Sequence, residues 1–180
     1  GDDFMRGRGG ADSIDGGAGT DTASYSTATA AVTVYLDGRT GVGSEAQGDV
    51  LTGIEVVIGS SFDDVLTGTA ANETLTGGNG NDTLNGGIGN DRLLGSIGND
   101  TLNGSDGTDT LDYSAYASAV TVDLSTNTAT GITLVTNTEN IIGSDFDDVL
   151  MGDDNNNEIT GGMGADTLTG LGGNDRYRFG

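Results

Sequence analysis

The sequence predicts an all-β solenoid in which one short unit is stacked on itself many times. The first observation is a period of nine residues, on which acidic residues recur at Asp82, Asp91, Asp100 and Asp109. The second is a leucine two positions after each of these acids, and the third is a glycine-rich run before each one. A fixed short period indicates a repeated structural unit. Each unit supplies a tight turn, one carboxylate and one apolar residue for the interior.

We expect the chain to form one elongated solenoid over residues 1–180, with three repeat blocks separated by two spacers. The blocks are residues 1–24, 55–112 and 139–180, and the spacers are residues 25–54 and 113–138. Glu55 and Glu139 stand one period ahead of the acids of the second and third blocks, as degenerate leading copies. The repeat is already under way at Gly1 and stops just after a copy, so we expect a fragment of a longer protein.

The two spacers are related to each other and have the period of a β-strand. Residues 21–36 match residues 109–124 when shifted by 88 positions. Apolar residues occupy every second position in both spacers: Val32, Val34 and Leu36 in the first, and Val120, Val122 and Leu124 in the second. This alternation predicts half-buried strands, so we expect the spacers to form wider coils of the same solenoid. Val122 would then face the interior and Asp123 the solvent; the alternative is that the spacers are disordered loops.

The composition requires something to neutralise the acids before the chain can fold. The chain has 180 residues, of which 34 are glycine, and its formal charge is −22. Only 33% of the residues are hydrophobic and 5% are aromatic. A chain with so much like charge and so little apolar surface is disordered by default. A flexible glycine-rich linker is the plain alternative, but a linker does not keep acidic and apolar residues in register over many copies.

Residue types that are missing from the chain exclude several functions. The absence of cysteine removes disulfides, zinc–thiolate sites and thiol catalysis. The absence of histidine removes the commonest general base and the commonest transition-metal ligand. The chain has no lysine and a large negative charge, so nucleic acid is not an expected partner. No apolar run approaches the ~18 residues that a membrane span requires.

The most regular part of the chain resembles a known calcium-binding repeat. The letters from Gly77 to Asp112 run GGNGNDTLN, GGIGNDRLL, GSIGNDTLN and GSDGTDTLD. This pattern, GGxGxDxUx with U large and apolar, resembles the RTX nonapeptide of secreted bacterial calcium-binding proteins. The resemblance implies a right-handed parallel β-roll or β-helix that several Ca²⁺ ions staple together. Two copies would make one coil of eighteen residues. The expected leucine stacks are Leu66, Leu84 and Leu102 on one wall, and Leu75, Leu93 and Leu111 on the other.

Stacked turns explain why calcium is the expected cofactor. Successive coils would bring like carboxylates within one inter-strand spacing, ~4.8 Å, where they repel. Ca²⁺ prefers hard oxygen ligands, and by the resemblance each ion lies between turns eighteen residues apart. The implied side-chain ligands are Asp3, Asp12, Asp21, Asp64, Glu73, Asp82, Asp91, Asp100, Asp109, Asp148, Asn157, Asp166 and Asp175. The implied backbone ligands are the carbonyls of Gly78, Gly80, Gly87, Gly89, Gly98, Gly107, Gly162 and Gly164.

Departures from the motif predict where sites weaken. Glu73 is one methylene longer than aspartate, and Asn157 carries no charge. Asp12 has no acidic partner eighteen residues further on, so we expect it to matter less than an acid inside the second block. Phe62 and Phe146 stand where the motif has its third glycine, and we expect them to cover an edge of the apolar stack.

The sequence therefore predicts a calcium-binding segment with no catalytic residues of its own. By the resemblance, it folds when Ca²⁺ binds outside the cell, as part of a secreted bacterial protein that a type I system exports. The alternative is a structural or adhesive repeat of a surface-layer or adhesin protein, located at the cell surface. An autonomous carbohydrate-active enzyme ranks below both, because every acid follows the period of nine or lies on a polar spacer. Expected partners are calcium ions, neighbouring domains of the same chain, and surface-layer or adhesin proteins.

Overall fold

A computed structural model of residues 1–180 contains twenty short β-strands, two single 3₁₀ turns at Ser44–Ala46 and Leu124–Thr126, and no α-helix. None of its elements is a helix with the length and hydropathy that crossing a membrane demands. The strands form two facing walls of a parallel β-roll, so the all-β parallel fold predicted from the sequence is confirmed. The chain alternates between the walls, placing one strand on each in turn through the repeat blocks.

Wall one is a single sheet of nine parallel strands. Its strands, in spatial order, are β1 (Phe4–Met5), β3 (Thr22–Ser24), β6 (Val56–Ile58), β8 (Thr74–Asn79), β10 (Arg92–Ile97), β12 (Thr110–Asp112), β16 (Asn140–Ile142), β18 (Glu158–Thr160) and β20 (Arg176–Arg178). Because non-sequential strands pair all along this wall, every backbone ladder joins one coil to the next.

Wall two is a second sheet of nine strands with a two-stranded sheet beyond it. In spatial order its strands are β4 (Thr33–Tyr35), β7 (Val65–Thr67), β9 (Thr83–Gly89), β11 (Asp100–Gly107), β15 (Ile132–Thr136), β14 (Thr128–Ala129), β13 (Thr121–Asp123), β17 (Val149–Met151) and β19 (Thr167–Thr169). The two-stranded sheet pairs β2 (Ser13–Asp15) with β5 (Val50–Thr52). Two isolated antiparallel bridges, Thr33–Val42 and Thr40–Val50, connect it to β4.

The leucines of the second block stack in the predicted register. On wall two, Leu66 pairs with Leu84 and Leu84 with Leu102. On wall one the equivalent stack is Leu75, Leu93 and Leu111. All six are buried, and each buried leucine contributes about 1.5–3 kcal/mol relative to an exposed one. The eighteen-residue coil predicted from the nine-residue period is therefore present throughout this block.

Each spacer takes the place of one coil. On wall one the strands before and after it are direct neighbours, whereas on wall two it contributes three strands. In the second spacer β13 runs forward, β14 returns antiparallel to it, and β15 runs forward again to pair with β11. The first spacer does the same through β4, an extended segment around residues 40–42, and β5. The predicted alternation holds, because Val34 and Val122 are both buried in a core that the spacers share with the blocks.

Of two expectations about single side chains, the one for the phenylalanines is wrong and the one for Asp123 is right. Phe62 and Phe146 are 43% and 44% exposed, and neither belongs to the hydrophobic core. They stand at the tips of turns, outside the apolar stack. Asp123 faces outward between the buried Val122 and Leu124, as expected, and its carboxylate accepts hydrogen bonds from Ser125 Oγ (2.6 Å) and from the N–H of Thr126 (3.2 Å). These bonds cap the 3₁₀ turn that follows, and the bond from Ser125 lowers the pKa of Asp123.

Candidate metal centre

The glycine turns that join the two walls lie along two edges of the solenoid. Edge one contains the turns that enter wall one, and edge two contains the turns that enter wall two. On edge one the acid position of the repeat is occupied by Asp3, Asp21, Glu55, Glu73, Asp91, Asp109, Glu139 and Asp175, and by the uncharged Asn157. The acidic positions of edge two are Asp12, Asp49, Asp64, Asp82, Asp100, Asp148 and Asp166.

Carboxylates of successive coils form a ladder along both edges. The N–H of Asp64 donates to Oδ1 of Asp82 (2.8 Å), and the N–H of Asp82 donates to Oδ1 of Asp100 (2.9 Å). On edge one the N–H of Asp91 donates to Oδ1 of Asp109 (2.7 Å). The same bond joins Asp3 to Asp21, Glu73 to Asp91, Asp148 to Asp166 and Asn157 to Asp175. The structure therefore brings together the residue pairs predicted from the eighteen-residue spacing.

The second carboxylate oxygen of many of these residues is buried without a hydrogen-bond partner. The residues with such an unpaired Oδ2 are Asp12, Asp21, Asp82, Asp91, Asp100 and Asp109. Five of the six are at most 1% exposed; Asp12 is half-buried. Burying an unpaired carboxylate oxygen costs several kcal/mol unless something neutralises it. These six atoms are the places in the fold that most require a bound cation.

Glycine is required where these carboxylates turn inward. A Cβ added to Gly77 would collide with the Asp82 carboxylate, and one added to Gly86 would collide with Asp91. Further along the turn, the carbonyl of Gly80 lies against the Cα of Gly98 in the next coil. Backbone carbonyls and carboxylates thus converge between coils because no side chain fills the space.

The predicted carbonyl ligands lie in these turns. Gly78 and Gly87 occupy the second turn position, each with φ of 106°. The carbonyl of Gly89 lies against Gly107 as that of Gly80 lies against Gly98. In the third block, the carbonyl of Gly162 accepts a hydrogen bond from the N–H of Gly180 (3.0 Å), and Gly164 lies against Phe146 of the preceding coil.

Burial raises the pKa of several acids in the second block. The pKa of Asp82 rises to about 7, chiefly through burial, although the hydrogen bond from Asp64 opposes the rise. Burial likewise raises the pKa of Asp91 to about 6 and raises the pKa values of Asp100 and Asp109. A site that raises a carboxyl pKa disfavours the bare anion, so it favours a proton or a metal ion beside that carboxylate.

Edge one gains one further carboxylate acceptor at the end of each spacer. Glu55 Oε2 accepts the N–H of Asp21 (2.8 Å), and Glu139 Oε2 accepts the N–H of Asp109 (2.8 Å). The two glutamates therefore accept as a ladder aspartate does. Their own N–H groups donate back to the carbonyls of Asp21 and Asp109 (both 3.1 Å), so the side-chain ladder does not continue to Glu73 or Asn157. Their longer side chains span the irregular turn at the end of each spacer. Burial raises the pKa of Glu139, as it does for the aspartates of the second block.

Edge two contains one acid that the sequence pattern missed. Asp49, in the first spacer, is fully buried; its Oδ1 accepts the N–H of Asp12 (3.0 Å) and its Oδ2 accepts Tyr25 O–H (3.0 Å). Asp12 thus has a partner in the ladder, although not one eighteen residues away. A thirty-seven-residue separation falls outside any multiple of nine, so the period gave no signal.

The predicted ligands at the chain ends are less enclosed than those of the second block. Asp3 is exposed, and Asp166 and Asp175 are half-buried. Asn157 is buried, but its Nδ2 donates to the carbonyl of Glu139 (2.7 Å) and to Oδ1 of Asp153 (3.2 Å). Its Oδ1 lies against Gly152, where other turns have their unpaired oxygen, and accepts the N–H of Asp153 (2.9 Å). Asn157 is therefore satisfied by the protein alone.

A second ladder of amides and carboxylates runs outside the first. The residue before each acid accepts a hydrogen bond from the N–H eighteen positions on, as in Asn81 to Asn99 (2.9 Å) and Asn90 to Thr108 (2.9 Å). Asp63, Asn72, Asp147 and Asn156 act in the same way. This ladder is exposed and holds the turns in register. The letters NDT and DDV contain it, but the period of nine by itself indicates no role for the residue before each acid.

The arrangement of these turns suits Ca²⁺. No three acidic side chains converge on one point, so an ion would take one or two carboxylates and complete its shell with backbone carbonyls. Ca²⁺ accepts six to eight oxygen ligands at about 2.3–2.6 Å in flexible geometry, and the glycine turns offer carbonyls at short range. The residues present fit such an ion, because six buried carboxylate oxygens lack any other partner.

Fold and site together define a parallel β-roll whose edges are columns of acidic glycine turns. The model of the RTX calcium-binding nonapeptide repeat matches the chain in four copies, at residues 1–23, 51–84, 85–115 and 142–177. These matches cover well over half of the chain, and the protein belongs to this family. Its repeats are a structural calcium-binding unit, typical of secreted bacterial proteins and not itself catalytic. A comparison with curated proteins found no match.

Proposed function

We propose that this chain is a calcium-binding β-roll segment that folds when Ca²⁺ reaches it outside the cell. It would be one part of a secreted bacterial protein that a type I system exports, and residues 1–180 would act in it as one elongated unit. The observation that carries the proposal is the set of six buried carboxylate oxygens without partners in a chain of formal charge −22. A cation beside each such oxygen would convert a cost of folding into a gain.

The ligands we propose first are the aspartates of the glycine turns. They comprise the six with an unpaired oxygen, together with Asp166 and Asp175, whose turns contain the same glycine cradle at Gly161 and Gly170. Carbonyls of adjacent turns would complete each shell. Several ions would bind in a column along each edge, so that each ion joins two neighbouring coils.

Calcium would act as the switch between export and folding. Extracellular calcium modules bind with Kd on the order of 10⁻⁴–10⁻³ M, so the chain would remain unfolded at the low free calcium of the cell interior. Binding free energy would then become folding free energy at the millimolar calcium outside. The export-competent and folded states would need no further factor to interconvert.

A calcium titration followed by circular dichroism tests this proposal. We expect disorder in chelator, β-structure in millimolar Ca²⁺, and a steep transition between them. Magnesium is the control, because it demands octahedral geometry and keeps its water, and we expect it to fold the chain poorly. A chain that is fully folded in excess chelator would overturn the proposal.

A second candidate is an architectural role in a surface-layer or adhesin protein. The observation that favours it is the duplication: both spacers build the same three-strand excursion on wall two. Solenoids lengthen by adding such units. Binding of the calcium-loaded chain to isolated cell-surface material, absent in chelator, would support this role. Hydrolytic activity of the isolated chain on carbohydrates would instead favour an enzyme.

A further inference from the structure

Three turns of the solenoid satisfy their carboxylate without any ion. Ser60 donates its N–H to Oδ2 of Asp64 (2.5 Å) and its Oγ–H to Oδ1 (2.8 Å). Ser144 makes the same pair of bonds to Asp148, at 2.6 and 2.8 Å. Thr69 donates its N–H to Oε2 of Glu73 (3.2 Å) and its hydroxyl to Oε1. All three acids are buried, yet none has an unpaired oxygen.

The two aspartates of this group also bind the spacers. Oδ1 of Asp64 accepts the N–H of Val32 (2.8 Å), and Oδ1 of Asp148 accepts the N–H of Val120 (2.8 Å). Each carboxylate therefore accepts bonds from three protein donors. Donors of this kind stabilise a carboxylate anion directly, so the cation that stabilises other turns is redundant here. Both residues lie where a spacer rejoins a repeat block.

A hydroxyl alone does not produce this closure. Ser96 and Ser105 occupy the same second position of their turns, but their φ values are 76° and 78°, and Asp100 and Asp109 keep an unpaired oxygen. Serine is present in both kinds of turn, so the backbone conformation at this position decides which kind forms.

The fourth residue of the turn accounts for the difference in backbone. In the open turns this residue is glycine: Gly80 (φ 122°) and Gly89 (φ 135°) adopt positive φ, and at Gly98 a Cβ would collide with the carbonyl of Gly80. In the closed turns it is Phe62, Ala71 or Phe146, which do not adopt positive φ. A side chain at the fourth position therefore forces the turn into the form that points the second N–H at the carboxylate. The exposed Phe62 and Phe146, which do not pack against the core, would thus serve to close their turns.

We propose that the turns at Ser60–Asp64, Thr69–Glu73 and Ser144–Asp148 close on their own hydroxyl and that these three carboxylates bind no calcium. This inference rests on the proposed calcium function and refines it. The ion between the first coils of the block would be held by Asp82 and turn carbonyls rather than by Asp64. Each spacer would thus be anchored to the next block before the calcium columns fill.

Counting bound ions in the full chain tests the inference. Equilibrium dialysis against millimolar calcium gives the number of ions per chain for the wild type, Asp64→Asn and Asp82→Asn. These two aspartates are neighbours on edge two and equally buried. We expect Asp82→Asn to bind at least one ion fewer than the wild type, and Asp64→Asn to bind the same number. An equal loss in both variants overturns the inference.

A gain of binding keeps the test decisive even if Asp64→Asn folds poorly. The double variant Ser60→Gly with Phe62→Gly changes the turn to GGSGDD, the open form. We expect it to bind one ion more than the wild type, whereas Ser61→Gly, at the exposed third position of the same turn, leaves the count unchanged. An unchanged count in the double variant overturns the inference and leaves the proposed function standing. A wild-type chain that binds no calcium overturns both.

Discussion

The two spacers share one fold but differ in what they add to edge two. Both replace a single wall-two strand by three, and both bury a valine and a tyrosine at equivalent positions, Val34 with Tyr25 and Val122 with Tyr113. The first spacer brings the buried carboxylate of Asp49 to the N–H of Asp12. At the same place the second spacer has only a carbonyl, that of Gly131, which accepts the N–H of Asp100 (3.0 Å).

This difference shows that the excursion and the acidic ladder are separate features. The second spacer is four residues shorter, and its last strand, β15, still pairs with β11, although a bulge appears at Asp100–Thr101. Strand pairing depends on the backbone and on the buried valines, so it survives the deletion. The carboxylate depends on one residue, so it does not. A spacer can thus lose its contribution to the ladder and keep its place in the solenoid.

The largest expected effect comes from breaking what the spacers share. Val122→Asp places a charge in a dry interior without a partner, and Val34→Asp does the same in the first spacer. We expect each to cost about 3–5 kcal/mol of unfolding free energy and to raise the calcium needed for folding. Thr121→Asp is the matched control, because Thr121 is exposed. Urea denaturation in saturating calcium measures the difference. Equal effects at positions 121 and 122 would contradict the buried position of the second spacer.

The stability of the calcium-free chain at different pH values tests the second block, because the aspartates with raised pKa values lie there. The folded pKa values of Asp82 and Asp91, about 7 and about 6, lie above the ordinary aspartate value of 3.8. Raised carboxyl pKa values give stability that is complete below pH ~4 and is lost as the pH rises through 6 to 7. We therefore expect calcium-free chain to gain β-structure as the pH falls from 8 to 5, and calcium affinity to fall over the same range.

The control for this pH effect is Asp82→Asn, because falling net charge also favours compaction. The variant should lose the part of the profile centred near pH 7 and keep the rest. Circular dichroism in calcium-free buffer gives both profiles. A wild-type chain whose β-structure is constant between pH 5 and 8, or increases with pH, would show that these carboxylates ionise freely in the fold.

Substitutions of Asp91 and Asp12 test whether the ladder of the second block contributes more to calcium binding than the ladder at the first spacer. Asp91 accepts the N–H of Glu73 and donates its own N–H to Asp109, so it joins three coils. Asp12 has one ladder partner, Asp49, and is only half-buried. We expect Asp91→Ala to raise the calcium midpoint about tenfold through loss of a charged ligand, and Asp12→Ala to raise it less. Equal midpoints would place both residues in equivalent sites.

The sequence was sufficient to predict the eighteen-residue coil, but not the places where the structure departs from it. The period of nine placed Leu84 on Leu102 and Asp82 on Asp100, because within a block sequence spacing equals spatial spacing. It did not find Asp49, whose partner lies across an irregular spacer. The same limit applies to the closed turns, because GSSFDD and GGNGND differ in backbone conformation as well as in letters. Alternation predicted the buried Val122, but the antiparallel return of β14 has too short a strand to leave a pattern.

The smallest expected effect tests the two tyrosines, whose hydroxyl groups donate to different acceptors. Tyr25 O–H donates to the Asp49 carboxylate (3.0 Å), and Tyr113 O–H donates to the carbonyl of Thr130 (2.7 Å). A hydrogen bond to a charged group contributes about 1.5–3 kcal/mol, and one to a neutral carbonyl about 0.5–1.5 kcal/mol. Tyr25→Phe should therefore destabilise the calcium-loaded chain more than Tyr113→Phe does, as measured by urea denaturation. Both variants keep the ring and its packing, so any difference reports the acceptor. If the two changes cost the same, the Asp49 acceptor contributes no more to stability than the carbonyl of Thr130 does, and the two spacers are equivalent at this position.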